Sequence, residues 1–306
     1  MKTITCSDRV YYDELLPEEA QAIRQDIQLV HSILHTAYRY LTLKARGIPF
    51  PFEESLHKEL KRRYHTNDYF PLAALWEAQH QLKADFENHE RWKKSLKARV
   101  KSVEKKIRKT EKEIQRLDKR LAQLKQKTKL GKQTQEDYLL EVQGLRPTRK
   151  QLKNQRSQLI FKLNRTQQQL NTANQKMRFT CFGGKKLSRS RTTVYAGNHE
   201  AWLEEYRYQR NKTMMIPGRR QGKYSNCLFK YHLEEGVLIY RCSSENREIR
   251  LKIQFHANAK ELERAVKLPH NTPGKAVAYL LEDHKKYFII KAIVEMEDRE
   301  LMEDKQ

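Results

Sequence analysis

The chain of 306 residues carries 62 Lys and Arg against 38 Asp and Glu, a formal net charge of +24, with 38% hydrophobic residues. That length allows two domains or one domain with a long insertion, and the charge calls for a polyanionic partner. No apolar run approaches the roughly 20 residues that span a bilayer. The N-terminal MKTITC lacks the apolar core of a signal peptide, and Cys6, Cys181, Cys227 and Cys242 form no CxxC pair. The composition therefore points away from membrane proteins, disulfide frameworks and zinc ribbons, and a cytoplasmic protein without a cofactor is expected.

In chain order, residues 2–12 (KTITCSDRVYY) read as a strand rich in β-formers. Pro17, Glu18 and Glu19 open a helix whose stripe is Ala20, Ile23, Ile27, Val30, Leu34, Ala37 and Leu41, closed by Gly47. A second helical stretch at about 53–64 offers Leu56 and Leu60. A third begins after Pro71 with Leu72, Leu75 and Trp76. This helical unit takes in residues 14–87.

Residues 88–177 follow a heptad pattern: Val100, Val103, Ile107, Thr110, Ile114, Leu117, Leu121 and Leu124 alternate spacings of three and four. Gly131 and Gly144–Pro147 bracket an expected break. A second run then places Leu145, Leu152, Leu159 and Thr166 seven apart, interleaved with Arg149, Arg156, Leu163 and Leu170. The pattern predicts an antiparallel hairpin with arms of roughly 45–60 Å at about 1.5 Å per residue. Charge concentrates here: residues 91–178 sum to +20, against −3 for 1–90 and +7 for 179–306. An ordinary solvated coiled coil mixes both signs, whereas residues 146–178 hold nine Lys or Arg and no carboxylate. Phosphate backbones relieve such self-repulsion with release of counterions.

From 178 onward the pattern is β-rich. Phe179, Cys181 and Phe182 read as a short strand, Gly183 and Gly184 as a turn, and His199–Arg210 as a helix. Strands are expected at Cys227–Tyr231, Val237–Cys242, Ile249–Phe255, Lys275–Leu281 and Tyr287–Val294, with a helix near 258–267. Residues 296–306 form an acidic tail.

The block from 177 to 226 concentrates the candidate chemistry. A glycine pair lets the backbone approach a ligand, and lysines at its exit suit phosphate oxygens. Gly183, Gly184, Lys185, Lys186, Arg189 and Arg191 are the first candidates for backbone contacts to nucleic acid. Arg207, Arg210 and Lys212 follow at the end of the His199 helix, where cations also suit the helix C-terminus. Arg219, Arg220 and Lys223 flank Pro217, Gly218 and Gly222 on a loop, and Tyr195, Tyr206 and Tyr224 are candidates for stacking on unpaired bases. Trp202 reads as core. No HExxH or CxH pattern appears, and Cys181 between Phe179 and Phe182 reads as a structural cysteine rather than a nucleophile.

Taken together, Cys181-Phe182-Gly183-Gly184-Lys185-Lys186-Leu187, His199-Glu200-Ala201-Trp202-Leu203, and Gly222 with Ser225-Asn226-Cys227 resemble the TnpB family. These are transposon-encoded accessory proteins of bacterial insertion sequences, an RNA-guided nuclease lineage related to type V CRISPR effectors. The resemblance implies an α+β protein in which a helical recognition lobe (14–87) and the basic coiled-coil hairpin (88–177) are inserted into a small oligonucleotide-binding-like β-barrel. That barrel, the wedge domain, would take its first strand from 1–13 and the rest from 178–295. It also implies structured guide-type RNA, and DNA, as partners. The family's RuvC-like nuclease carboxylates follow the wedge barrel, and here residues 295–306 offer only an acidic stretch. A chain without its own nuclease site is therefore expected. The alternatives are a split nuclease whose RuvC part is a separate partner chain, and a coiled-coil interaction protein.

Overall fold

The computed structural model describes residues 2–132, 134–218, 226–232, 234–243, 247–256, 258–266 and 276–296. They form an α+β fold in two compact units, one of the described residues within 2–83 and 180–296 and the other of those within 84–179. No helix among the described residues is long and apolar enough to cross a membrane. The acidic tail from 297 onward lies outside the described residues.

In the first unit, β1 (Lys2–Tyr11) pairs antiparallel along its whole length with the last strand, β7 (Tyr287–Met296), from Lys2 opposite Met296 to Tyr11 opposite Tyr287. β7 continues antiparallel to β6 (Val277–Asp283), and β6 to β2 (Thr213–Ile216). The resulting sheet has the order β1-β7-β6-β2. Alternation decides its inner face: Ile4, Cys6, Val10, Val277, Tyr279, Leu281, Phe288, Ile290, Ala292 and Val294 are buried. A second antiparallel sheet joins β3 (Phe229–His232), β4 (Val237–Arg241) and β5 (Glu248–Lys252) in that order. Phe229 stacks on Tyr240 of its own sheet and on Tyr279 of the first, both at 4.8 Å between ring centroids. One aromatic layer therefore serves both sheets. No backbone ladder joins the two sheets among the described residues.

The helix α1 (Pro17–Ala45) begins with proline at its first position, and the Leu16 N–H donates to Glu19 Oε2 at 3.1 Å. Ala20, Ile23, Ile27, Val30, Leu34 and Ala37 of its predicted stripe are buried, and Leu41 is half-buried. Asp26, on the same helix and also buried, accepts from Tyr240 Oη at 2.6 Å and from the Ser243 N–H at 2.9 Å. Ser243 Oγ donates to it as well. This carboxylate ties α1 to β4, and burial pushes its pKa above the ordinary value.

α2 (Leu56–Tyr64) is capped by Ser55, and α3 runs without interruption from Tyr69 to Lys129. Pro71 sits inside the first turn of α3 rather than before it, because a first-turn residue has no intrahelical N–H bond to lose. The expected boundary at 87/88 is likewise not a break in the helix.

In the second unit, α4 (Gln135–Gln175) returns after a turn at Gly131, whose φ is +68°. The break expected between Gly131 and Gly144–Pro147 falls entirely at the Gly131 end, and Gly144 and Pro147 lie within α4. The start signal is instead Thr134, whose Oγ1 accepts from the Asp137 N–H at 3.2 Å. Arg156 Nε donates to Glu111 Oε1 at 2.7 Å, Arg149 Nε donates to Asp118, and Arg120 lies 3.8 Å from Glu141. Partner numbers that rise on one arm as they fall on the other define an antiparallel hairpin. Leu96, Val103, Ile107, Thr110, Ile114 and Leu124 are buried along one arm, and Val142, Thr166 and Ala173 along the other.

Candidate nucleic-acid interface

The expected strand at Phe179–Phe182 is not a strand. This stretch is irregular, and side chains take its backbone groups: Thr180 N–H donates to Tyr38 Oη at 3.1 Å, and Phe182 C=O accepts from Tyr206 Oη at 2.9 Å. The turn at Gly183 and Gly184 (φ +80° and +88°) leads into a one-and-a-half-turn helix, α5 (Lys185–Ser190). The two glycines differ in purpose. A Cβ on Gly183 would meet Tyr206 Cε2 at 3.0 Å, so this glycine allows the turn to pack on α6 (His199–Arg210). Around Gly184 the space is open for 4 Å, so the room for a close approach by a ligand belongs to Gly184.

α6 locks onto this turn. Asn198 caps it, accepting from the Ala201 N–H at 3.0 Å. Buried Trp202 donates its indole N–H to Leu187 C=O at 2.9 Å and stacks between His199 and Tyr206, with centroids at 5.4 and 5.0 Å. The segments Cys181–Leu187 and His199–Leu203, read from the sequence as separate motif blocks, are thus one interlocked unit. Tyr206, a predicted base-stacking residue, is half-buried in that packing. Tyr195 is half-buried in the turns between α5 and α6.

The predicted cations divide into two groups. Lys185, Lys186 and Arg189 are exposed on α5, and among the described residues no carboxylate pairs with any of them. Arg207 is also exposed. It lines an open groove of about 830 Å³ with Arg24, Gln28, Tyr208, Asn211 and Lys285, alongside Glu200, Glu204 and Asp283. Arg191 is exposed as well, with its guanidinium over the Trp202 ring at 5.3 Å, whereas Arg210 is half-buried with Nε donating to His35 Nδ1 at 2.8 Å. Arg210 therefore does not serve as a free phosphate contact. His35 in turn packs against Phe182 at 4.3 Å and His31 at 5.7 Å. Burial, with Arg210 adjacent, lowers His35 to about 3 and His31 to about 4, so both are neutral at pH 7. Lys212 is half-buried, and its carbonyl accepts from the Asp283 N–H at 2.7 Å, which aligns β2 on β6. Arg219, Arg220, Lys223 and Tyr224 lie outside the described residues.

Asn226, quoted in the sequence only as part of a motif, is a buried hub. Its Nδ2 donates to Val277 C=O at 2.9 Å and Pro217 C=O at 3.3 Å, while Oδ1 accepts from the Leu228 and Phe229 N–H groups at 3.0 and 3.2 Å. One side chain thereby joins the first sheet to the start of the second. Residues absent from the sequence-based candidate set also emerge here. Arg24 stacks over Tyr12 at 4.5 Å and lies 3.4 Å from Asp283, and Lys285, which lines the groove with Arg207, reaches Glu205 at 3.5 Å. Their positions in the sequence carry no motif that would have grouped them.

Among the described residues no group of three His, Cys, Asp or Glu side chains is placed to hold a metal ion. No protein-family model and no curated protein matches the chain.

Proposed function

We propose that the chain is a TnpB-like nucleic-acid-holding module, with structured, guide-type RNA as its principal ligand and DNA as a second. In this reading the two sheets are parts of a small oligonucleotide-binding-like barrel built around the Phe229 aromatic layer, and the helical recognition lobe (14–87) and the basic hairpin (88–177) are inserted after its first strand, β1. The observation that carries the reading is the sorting of charge on the rigid α5–α6 unit. Its aromatic residues and Arg210 are spent on packing, while Lys185, Lys186 and Arg189 stand exposed and unpaired beside the open backbone of Gly184. Cations held on a stiff scaffold without internal counter-charges suit a phosphate backbone, and they direct recognition by shape rather than by base sequence. Catalysis is assigned to none of the described residues.

The test is to purify the chain from cells carrying its native locus and to sequence the RNA that accompanies it. The reading predicts one enriched structured transcript from that locus, and its loss in K185Q/K186Q/R189Q. A wild-type preparation without an enriched transcript would contradict it.

A further inference from the structure

Resting on the polyanion reading above and going beyond the α5 site, we infer that the outer face of the first hairpin arm is a second, sequence-independent site for the sugar-phosphate backbone of a duplex. The arm keeps most of its carboxylates to one flank, while cations fill its outward columns. Three of its four carboxylates between residues 94 and 129, Glu104, Glu111 and Asp118, recur every seven residues on the flank turned to the second arm. Arg156 and Arg149 take two of them. Directly opposite the apolar seam runs Lys105, Lys112 and Lys119, and the neighbouring column is Lys94, Lys101 and Arg108. All six are exposed, and among the described residues no carboxylate pairs with them.

Helix geometry gives the spacing. Seven residues advance about 10.5 Å, and the six cations extend along about 38 Å, the rise of roughly eleven base pairs. The chemistry of this face narrows the ligand. Single-strand binders need aromatic platforms for unpaired bases, and there is no aromatic residue from 94 to 129. Base reading favours the planar fork of Arg, whereas five of these six are Lys, which act as point charges toward phosphate. The arm's apolar residues are consumed by the seam, so the cationic face has no hydrophobic side to insert into a lipid surface. A straight row of point charges without stacking groups matches the stiff, regular phosphate rows of a double helix.

The experiment uses the full chain and three labelled probes: an RNA duplex and a DNA duplex of about 24 base pairs with one sequence, and oligo(U) of equal length. Affinities are measured by fluorescence anisotropy across a salt series for wild type, the six-site variant K94Q/K101Q/K105Q/R108Q/K112Q/K119Q and the loop variant K185Q/K186Q/R189Q. Gln preserves helix propensity, and circular dichroism verifies that helicity is retained. In the six-site variant, duplex affinity should fall about ten-fold or more and the salt slope should drop by roughly five, near 0.9 per lost phosphate contact. Oligo(U) affinity should change less than about two-fold. The RNA and DNA arms identify which duplex is preferred.

An equal loss on oligo(U), or retention of duplex affinity by the six-site variant, would overturn the inference. So would displacement of the duplex by poly-glutamate as effective as by unlabelled duplex, which would indicate an acidic protein partner. If wild type binds the duplexes and only the loop variant is impaired, this inference fails while the α5 reading stands. If wild type binds none of the probes, both fail.

Discussion

Arg156 on α4 donates to Glu111 on α3 at 2.7 Å, and Arg149 to Asp118 one heptad further along, so two carboxylates seven residues apart meet two arginines seven residues apart. Sliding one arm past the other by less than a heptad would strand all four charges. The ion pairs therefore select the register of an otherwise repetitive seam. The Glu111–Arg156 pair is half-exposed, so a double-mutant cycle with Glu111→Gln and Arg156→Gln should give a coupling of about 0.5–1 kcal/mol that shrinks as salt rises. Urea denaturation of the four proteins provides the measurement, and zero coupling at low salt would remove these residues as register determinants.

Asn226 is expected to dominate the junction between the sheets. Truncation to Ala leaves the Leu228 and Phe229 N–H groups and the Val277 C=O without their partner, at a cost of about 2–4 kcal/mol. Asn226→Asp keeps the acceptor but loses the donor to Val277 and buries a carboxylate, so its deficit should grow as pH rises through the carboxylate range. Thermal unfolding of both variants at pH 5 and pH 8 checks this. Tm values within a degree or two of wild type would contradict the hub assignment.

His31 and His35 set an acid limit on stability. Both are held below the ordinary value of 6.5, to about 4 and about 3, first of all by burial. The unfolded chain therefore binds protons that the folded chain refuses. Their contribution is fully present above about pH 6.5, declines as pH falls, and is exhausted below the folded values. Tm measured from pH 8 to pH 4 should decline most steeply below pH 6.5, and His35→Gln should flatten that decline whatever it does to stability at pH 8. A decline of the same steepness in His35→Gln would show that other groups are responsible.

The two glycines of the turn should respond differently to Ala. Gly183→Ala adds a clash with Tyr206 to an unfavourable φ and should destabilise by about 2–3 kcal/mol. Gly184→Ala meets only the cost of its φ, about 1 kcal/mol, but places a methyl where a phosphate would approach. Gly184→Ala should therefore weaken RNA binding more than stability. Identical effects of the two variants on Tm would refute the distinction.

These elements also show how far the sequence was readable. The α1 stripe and the heptads of α3 were legible because helical burial repeats along the chain. The start of α4 was misread because Gly144 and Pro147 are strong local breakers. Their cost, about 1 and 3 kcal/mol in a helix interior, is offset by docking of the long arm along the seam. The cap at Thr134 and Asp137 was the better signal. β2 went unnoticed because Thr213–Ile216 is too short to display an alternation, and it exists through pairing with β6.

In the candidate site, residue type identified the exposed cations of α5 but could not separate them from Arg210. That distinction depends on His35, which lies 175 positions away in sequence. The same limit hid Asn226, whose amide donates to carbonyls 9 and 51 residues distant.

The central claim is that this protein's charge is organised to hold a phosphate backbone. The most direct measurement is the affinity of the full chain for a stem-loop RNA as a function of salt. With six to ten phosphate contacts the account predicts that affinity falls by about 10³–10⁵ between 50 and 200 mM salt. Binding that is absent at low salt, or that stays constant across this range, would contradict it.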